Sequence, residues 1–323
     1  EAILLYEEVR AATSDLRSWQ GLAAAYRKRG EYEQALAVVD EAIATESLAG
    51  CDLTPLWLEQ GTTLSAAGHV EHAVGVLELG VAAAVARGEA PPSELLARLA
   101  RAELMCGRNE DALKHALDAQ AGFEEAGDQR ALSGTMRLLG DVYTTLGRPD
   151  AAVQTLERGL ELAERVGNVE ELGGCLINLG LAKLAREEYE DAIACNERAI
   201  VEFERIGHGS GRALGYSNLA WVLANKGDYD EAERTCATAI EVAEAIGHRL
   251  VTAETTDTLA FVSLRRGDFA DAVARAEEAA RLFLELGASP KAAQSLEVAA
   301  KAWEAAEEEG RARETRSRAQ ALV

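Results

Sequence analysis

The chain has 323 residues, 48% of them hydrophobic, and 55 acidic against 33 basic side chains give it a formal net charge of −22. An acidic surface repels phosphate groups, so nucleic acid and anionic membranes are disfavoured as partners. Much of the charge also suits solvated helix faces, where Glu favours both solubility and helix formation. No stretch approaches 18 uninterrupted apolar residues, so the sequence predicts no membrane span.

The chain opens at Glu1, already inside an amphipathic run over residues 1–12. Ala2 lies 33 residues before Ala35 and takes the place of the same position in an earlier repeat. We therefore expect residues 1–12 to be the second helix of a truncated repeat. The chain would then be a piece of a longer protein.

Alanine recurs from residue 35 onward in steps of 38, 39 and then 40 residues. The alanine ladder consists of Ala35, Ala73, Ala112, Ala152, Ala192, Ala232, Ala272 and Ala312. Constant spacing indicates one supersecondary unit stacked repeatedly, each repeat burying its apolar face on its neighbours. We predict a single solenoid over 1–323, with repeats at 13–50, 51–89, 90–127, 128–167, 168–207, 208–247 and 248–287 and a degenerate capping repeat at 288–323.

Glycines follow the same period and mark the ends of helices. One series is Gly127, Gly167, Gly207, Gly247 and Gly287, and a second is Gly30, Gly68, Gly107, Gly147, Gly227 and Gly267, interrupted by Glu187. Glycine accepts the left-handed backbone that commonly follows a helix C-terminus. Each repeat therefore reads as two helices of about 17 residues, or roughly 26 Å each.

The repeat at 128–167 shows the pattern most clearly. Leu132, Met136 and Leu139 recur at helical spacing, Gly147 ends the first helix, and Pro149 suits the first turn of the second. In later repeats, Ala232 and Ala239 lie seven residues apart on one face, where small side chains let two helices approach closely.

The last repeat differs in charge. Arg311, Arg313, Arg316 and Arg318 make its final helix polar. A solenoid needs such a cap because its last face has no neighbour. The alternative is an arginine anchor for an acidic partner.

The sequence offers little chemistry. It contains no phosphate-binding G-x-x-x-x-G-K-[ST] loop, no H-E-x-x-H pair and no G-x-S-x-G elbow. His69 and His72 share a helical face but have no third ligand nearby, and His208 and His248 read as surface turn residues. We expect no catalytic residues, no metal and no cofactor.

The five cysteines are scattered without a C-x-x-C pair. Cys195 lies on an apolar stripe, and Cys236 sits one repeat further on. We expect reduced core cysteines of a cytoplasmic protein, because disulfides persist in oxidising compartments.

The repeat resembles the tetratricopeptide family. One copy of the family pattern is Trp19, Leu22, Tyr26, Gly30, Tyr32, Ala35 and Ala42, and another is Leu219, Ala220, Gly227, Tyr229, Ala232 and Ala239. The period of 40 departs from the usual 34 and is similar to the longer-helix branch of kinesin light chains, bacterial peptide-sensing regulators and sensor arms of signalling ATPases. The resemblance implies an all-α, right-handed α-solenoid of about eight helix-turn-helix repeats with a polar C-terminal capping helix.

The resemblance also implies that the first helix of each repeat lines a concave groove. Asn178 and Asn218 then hold positions where related arrays grip the backbone of an extended peptide, through an amide that both donates and accepts. A capping or inter-helix bond is the alternative. Leu181, Trp221 and Phe261 would form an apolar wall, unless the aromatic rings serve ordinary packing between repeats.

Arginines cluster at the other end of these positions. Arg98, Arg101 and Arg137 would favour an acidic group, since guanidinium matches carboxylate with two hydrogen bonds. They could instead pair with neighbouring Glu of this chain, and Asp141 among them could neutralise part of the patch. Asn225 and Arg265 would add a polar edge.

The first hypothesis is therefore a non-catalytic protein- or peptide-binding scaffold or sensor arm of a larger cytoplasmic signalling protein. It would bind an extended partner segment along repeats three to seven, with an acidic residue near the arginines. The alternative is a regulatory domain that holds an adjacent catalytic or DNA-binding domain inactive until a ligand binds.

Overall fold

A computed structural model describes residues 16–49 and 52–322, and over these residues it contains sixteen helices and no strand. The predicted truncated repeat at 1–12 and Cys51 lie outside the described residues. The chain divides into two units, Glu1–Gly147 (unit 1) and Arg148–Val323 (unit 2).

Unit 1 contains seven helices among its described residues. They are α1 (Leu16–Lys28), α2 (Tyr32–Ala49), α3 (Thr54–Ala66), α4 (Val70–Ala86), α5 (Ser93–Met105), α6 (Asn109–Ala126) and α7 (Gln129–Thr145). Successive helices pack on one another, and α1, α3, α5 and α7 also contact each other in sequence.

Unit 2 repeats the arrangement with nine helices in its described part. They are α8 (Pro149–Val166), α9 (Val169–Ala185), α10 (Tyr189–Arg205), α11 (Gly209–Lys226), α12 (Tyr229–Ala245), α13 (Arg249–Arg266), α14 (Phe269–Glu285), α15 (Ser289–Ala305) and α16 (Glu309–Gln320). The first helices α9, α11, α13 and α15 again contact one another in sequence. The predicted all-α solenoid is confirmed.

The alanine ladder lies in the core. Each of its eight members, from Ala35 to Ala312, is at most 1% exposed, and Ala239, seven residues beyond Ala232, is fully buried. These side chains sit where the second helix of a repeat meets its neighbours, so the prediction of close helix approach is confirmed. None of the described helices has the length and apolarity that crossing a bilayer requires.

The glycines end helices as predicted, through a left-handed backbone. Gly127 and Gly167 have φ angles of 69° and 66°. The place of the missing glycine is taken by Glu187, which adopts the same conformation with φ 62°, as does Glu307 in the last repeat. A residue with a side chain is strained there by about 1–2 kcal/mol.

We therefore expect Glu187→Gly to stabilise the fold by about 1 kcal/mol, the relief of strain exceeding the extra entropy that glycine gains on unfolding. Denaturant unfolding followed by circular dichroism measures the change. Glu197→Gly, at an exposed position inside α10, is the matched control and should destabilise by about 1 kcal/mol. An equal loss of stability in both variants would contradict the role given to the backbone at Glu187.

Four successive first helices, α7, α9, α11 and α13, are capped by side chains at the same period. Asp128 and Asn168 accept hydrogen bonds from backbone amides of α7 and α9 through side-chain oxygens. His208 does so through Nδ1, which accepts from the Gly211 amide at 2.9 Å, and His248 repeats the device in the next repeat. The two histidines lie in turns, as expected, but they are half-buried and also act as N-caps, which the sequence pattern did not predict.

The final helix α16 behaves as a cap. Arg316 pairs with Glu297 and Glu304, and the Arg311 guanidinium lies 4.7 Å from the ring centroid of Trp303. Arginines that are engaged by this chain favour the capping interpretation over the anchor for an acidic partner.

The described cysteines are free thiols at two depths. Cys175 and Cys236 are buried, and burial raises the pKa of Cys236 to about 12. Cys106 and Cys195 are only partly buried. Cys195 is therefore less buried than the core position expected for it.

Candidate functional site

Unit 2 contains a cleft of about 350 Å³ built mainly from its first helices. Helices α9, α11, α13 and α15 each contribute side chains, and α14 contributes Phe283. The lining residues are Ile177, Asn178, Leu181, Leu214, Ser217, Asn218, Trp221, Glu254, Asp257, Thr258, Phe283, Lys291 and Gln294.

The constant repeat length explains why these residues meet. When identical helices stack in register, positions 40 residues apart share one side of the stack. Asn178, Asn218 and Thr258 form one such column, and Ile177, Ser217 and Asp257 in the list above form the next. The constant repeat length therefore brings these positions to one side of the stack. The chemistry of the cleft depends on which residue each repeat has at that position.

Four of the predicted site residues line the cleft: Asn178, Leu181, Asn218 and Trp221. The two asparagines are half-buried, on α9 and α11. They are thus placed one repeat apart along the same wall, as the spacing of 40 requires.

Three predicted residues lie outside the cleft lining but are linked to Trp221. The Phe261 ring lies 5.2 Å from that of Trp221 at an angle of 58°, and the Arg265 guanidinium is 5.9 Å from the Phe261 ring. The Asn225 side-chain amide donates to the Trp221 carbonyl at 2.7 Å, and Arg265 Nε donates to the Tyr229 hydroxyl at 3.3 Å. Phe261 is half-buried and also packs on a buried apolar cluster.

A buried bond between repeats holds the cleft wall. The Thr255 hydroxyl and the Ser217 hydroxyl are 2.9 Å apart, joining α13 to α11. Both residues are buried, and such a bond is costly to break once water is excluded. It fixes the relative register of two first helices that line the cleft.

The charged residues of the cleft lie on two neighbouring first helices, α13 and α15. Lys291 on α15 forms an ion pair with Glu254 on α13, and its Nζ lies 5.7 Å from the Phe283 ring centroid. Burial raises the pKa of the Asp257 carboxyl, while a hydrogen bond from Ser295 and the charge of Lys291 oppose that rise. Asp257 stands 40 residues after Ser217, so the repeat spacing places it in the same column.

The predicted arginine patch lies in unit 1. Burial raises the pKa of the Asp141 carboxyl, while the charges of Arg101 and Arg137 act to lower it. Arg98 lies 3.7 Å from Glu94. The alternative of pairing within the chain therefore applies to Arg98, and Asp141 offsets part of the positive charge of the other two.

The His69 and His72 rings lie 6.3 Å apart. In the part of the chain that the structure describes, no three His, Cys, Asp or Glu residues are arranged to hold a metal ion.

Comparison with known protein families identifies the family of this chain. Profiles described as tetratricopeptide repeat match residues 18–48, 93–165 and 211–285, together more than half of the sequence. The chain belongs to the tetratricopeptide repeat family. No curated protein matches this tetratricopeptide chain by sequence.

Several solved structures share the tetratricopeptide fold of this chain. A Rap protein complexed with Competence and Sporulation Factor has a TM-score of 0.73 at 13% identity, covering 99% of this chain and 91% of that one. A tetratricopeptide repeat protein from Parabacteroides merdae has a TM-score of 0.59 at 16% identity, covering 86% and 93%. A signal transduction ATPase with numerous domains from Pyrococcus horikoshii, which has a tetratricopeptide repeat sensor, has a TM-score of 0.59 at 14% identity, covering 94% and 43%. At these identities the likeness establishes the fold.

Proposed function

We propose that this chain is a non-catalytic, cytoplasmic binding module whose unit 2 cleft holds an extended segment of a partner protein or peptide. The observation that carries the proposal is the composition of the cleft, where two half-buried asparagines stand beside apolar side chains and Trp221. An asparagine amide matches the donor and acceptor of a peptide group without reading its side chain. Tryptophan beside such amides supplies the apolar contact area that dominates binding energy at interfaces.

A Rap protein of the same fold is solved in complex with Competence and Sporulation Factor, which supports binding of a partner by this architecture. Another neighbour is aspartyl phosphate phosphatase F from Bacillus subtilis, with a TM-score of 0.63 at 16% identity. The non-catalytic part of the proposal depends on the absence of any nucleophile-and-base motif in this sequence.

The expected result is that Asn178→Ala combined with Asn218→Ala weakens peptide binding at least tenfold, since each variant removes hydrogen bonds to the peptide backbone. The probe is a phage-displayed library of random twelve-residue peptides selected on the immobilised protein. Calorimetry then measures synthetic copies of the selected peptides.

The matched control is Gln154→Ala combined with Gln320→Ala, which removes two exposed amides elsewhere in unit 2 and should leave the affinity unchanged. Failure to select any peptide, or equal affinities of wild type and the asparagine variant, would reject the asparagine ladder as a peptide-binding device.

The arginines of unit 1 support a separate, finer proposal, that an acidic residue of a partner binds near Arg101 and Arg137. Asp141 reduces the available positive charge, so this contact contributes less than three unpaired arginines would. Arg101→Gln combined with Arg137→Gln should lower affinity for acidic peptides and leave neutral peptides unaffected.

A regulatory role is the second candidate. The ATPase neighbour uses tetratricopeptide repeats as the sensor of a larger protein, of which the match covers 43%. Under this proposal the repeats hold an adjacent domain inactive until a ligand binds. Comparing the activity of the full-length gene product with and without residues 1–323 tests it, and an unchanged activity rejects it.

A further inference from the structure

The unit 2 cleft carries an uncompensated negative charge. Its charged lining residues are Glu254, Asp257 and Lys291, and the ammonium of Lys291 is already engaged by Glu254. Trp221, the asparagines and the remaining lining residues are neutral. One carboxylate, that of Asp257, therefore stands in the cleft without a dedicated counter-charge.

The surroundings of Asp257 are unfavourable for a carboxylate. Its Oδ1 atom is closed off from solvent and has no hydrogen-bond donor among the described residues. The Ser295 hydroxyl and the charge of Lys291 act on the carboxyl, yet the pKa of Asp257 still lies above its usual range because burial dominates. An arrangement of this kind weakens the fold rather than strengthening it, since a buried acceptor without a donor is costly.

A carboxylate with such a deficit attracts a cation. A guanidinium or ammonium in the cleft would supply the missing counter-charge and could donate to whichever carboxylate oxygen Asp257 turns toward the cleft. The same group could lie near the face of the Trp221 ring, which lines the same cleft and attracts cations through its quadrupole.

We propose that the unit 2 cleft selects a partner segment that presents a basic group, either a Lys or Arg side chain or a free N-terminal ammonium, and that Asp257 receives it. This inference rests on the proposed function, because it specifies the peptide that the asparagines hold. It assigns the two units opposite preferences, a basic group in the unit 2 cleft and an acidic one near the arginines of unit 1.

The test uses the whole chain and a synthetic library of nine-residue peptides labelled at the C-terminus. In each pool one position is fixed as Arg, Lys, Gln or Glu and the others are random, and every pool is made with a free and with an acetylated N-terminus. Fluorescence polarisation measures binding of each pool to wild type and variants.

Wild type should prefer a basic group about tenfold or more over Gln at one position. If the cation is the peptide terminus, it should prefer free over acetylated peptides by the same factor. Asp257→Asn should remove that preference and retain the binding of Gln pools, with a melting temperature no lower than that of wild type.

Asp268→Asn is the control for net charge, because Asp268 is exposed in the turn before α14 and makes no capping bond. It should keep the full preference. A preference that persists in Asp257→Asn, a preference for Glu at every position, or binding without any charge preference would overturn the inference alone. Absence of binding by every pool would instead reject the proposed function. Loss of binding in Asn178→Ala combined with Asn218→Ala, without any loss in Asp268→Asn, would support the proposed function whatever the charge preference. The proposed function and the inference about Asp257 are thus tested separately.

Discussion

Phe203→Ala should destabilise the protein by about 3–5 kcal/mol, the range for removing a fully packed aromatic ring. Phe203 on α10 is 4% exposed and belongs to a buried cluster with Leu172 and Leu176 of α9. Its ring also lies 5.1 Å from that of His208, the N-cap of α11. One side chain thus joins three consecutive helices, so its loss leaves a cavity at two helix contacts.

Two glycines make room for this ring. A Cβ atom built on Gly173 would lie 2.5 Å from Cζ of Phe203, and one built on Gly211 would lie 2.5 Å from Cδ1. The ring is therefore confined from α9 and from α11 together. Gly211→Ala should destabilise by about 1–3 kcal/mol through overpacking.

Denaturant unfolding monitored by circular dichroism measures both variants, and Val201→Ala, at a 61% exposed position of the same helix, should change stability by less than about 0.5 kcal/mol. Combining Gly211→Ala with Phe203→Leu supplies a double-mutant cycle. The two changes should be less damaging together than their sum, because the smaller side chain makes room for the new methyl group. If the two changes in unfolding free energy simply add, Gly211 and the Phe203 ring are not coupled, and the steric explanation for Gly211 is wrong.

The parts of the fold that follow from steric demands at a fixed spacing could be predicted from the sequence. Alanine at each ladder position predicts close helix contacts, and glycine at each turn predicts a left-handed backbone. The structure has buried alanines and glycines with positive φ at the positions that the period gives. The same arithmetic placed Asn178 and Asn218 on one wall, since a residue and its counterpart 40 positions later share a side of the stack.

What could not be predicted depends on side-chain conformations and on contacts across repeats. The significance of Asp257 arises from Ser295 and Lys291 in the following repeat, which no spacing rule relates to it. His208 caps its helix because its rotamer turns Nδ1 toward the Gly211 amide. That rotamer cannot be inferred from the sequence pattern. The contact between the Phe261 and Trp221 rings likewise depends on the rotamers of both side chains.

Ala232→Leu should destabilise the protein by about 2–3 kcal/mol, near the upper end of the usual cost of overpacking. Ala232 on α12 is fully buried in a cluster with Leu223 of α11 and Val262 of α13. Three added carbon atoms would force α12 away from both neighbours. Rigid, densely packed interiors absorb such an insertion poorly.

The matched control is Ala237→Leu, which adds the same side chain to the same helix at an exposed position. It should change stability by less than about 0.5 kcal/mol, because helix propensity differs little between the two residues and the new side chain reaches solvent. Urea unfolding curves of both variants separate the two cases. A solenoid assembles from contacts between adjacent repeats, so a defect at one rung weakens the stack on both sides of it. If leucine is tolerated equally well at positions 232 and 237, then close packing of paired helices is not the reason for alanine at the ladder positions.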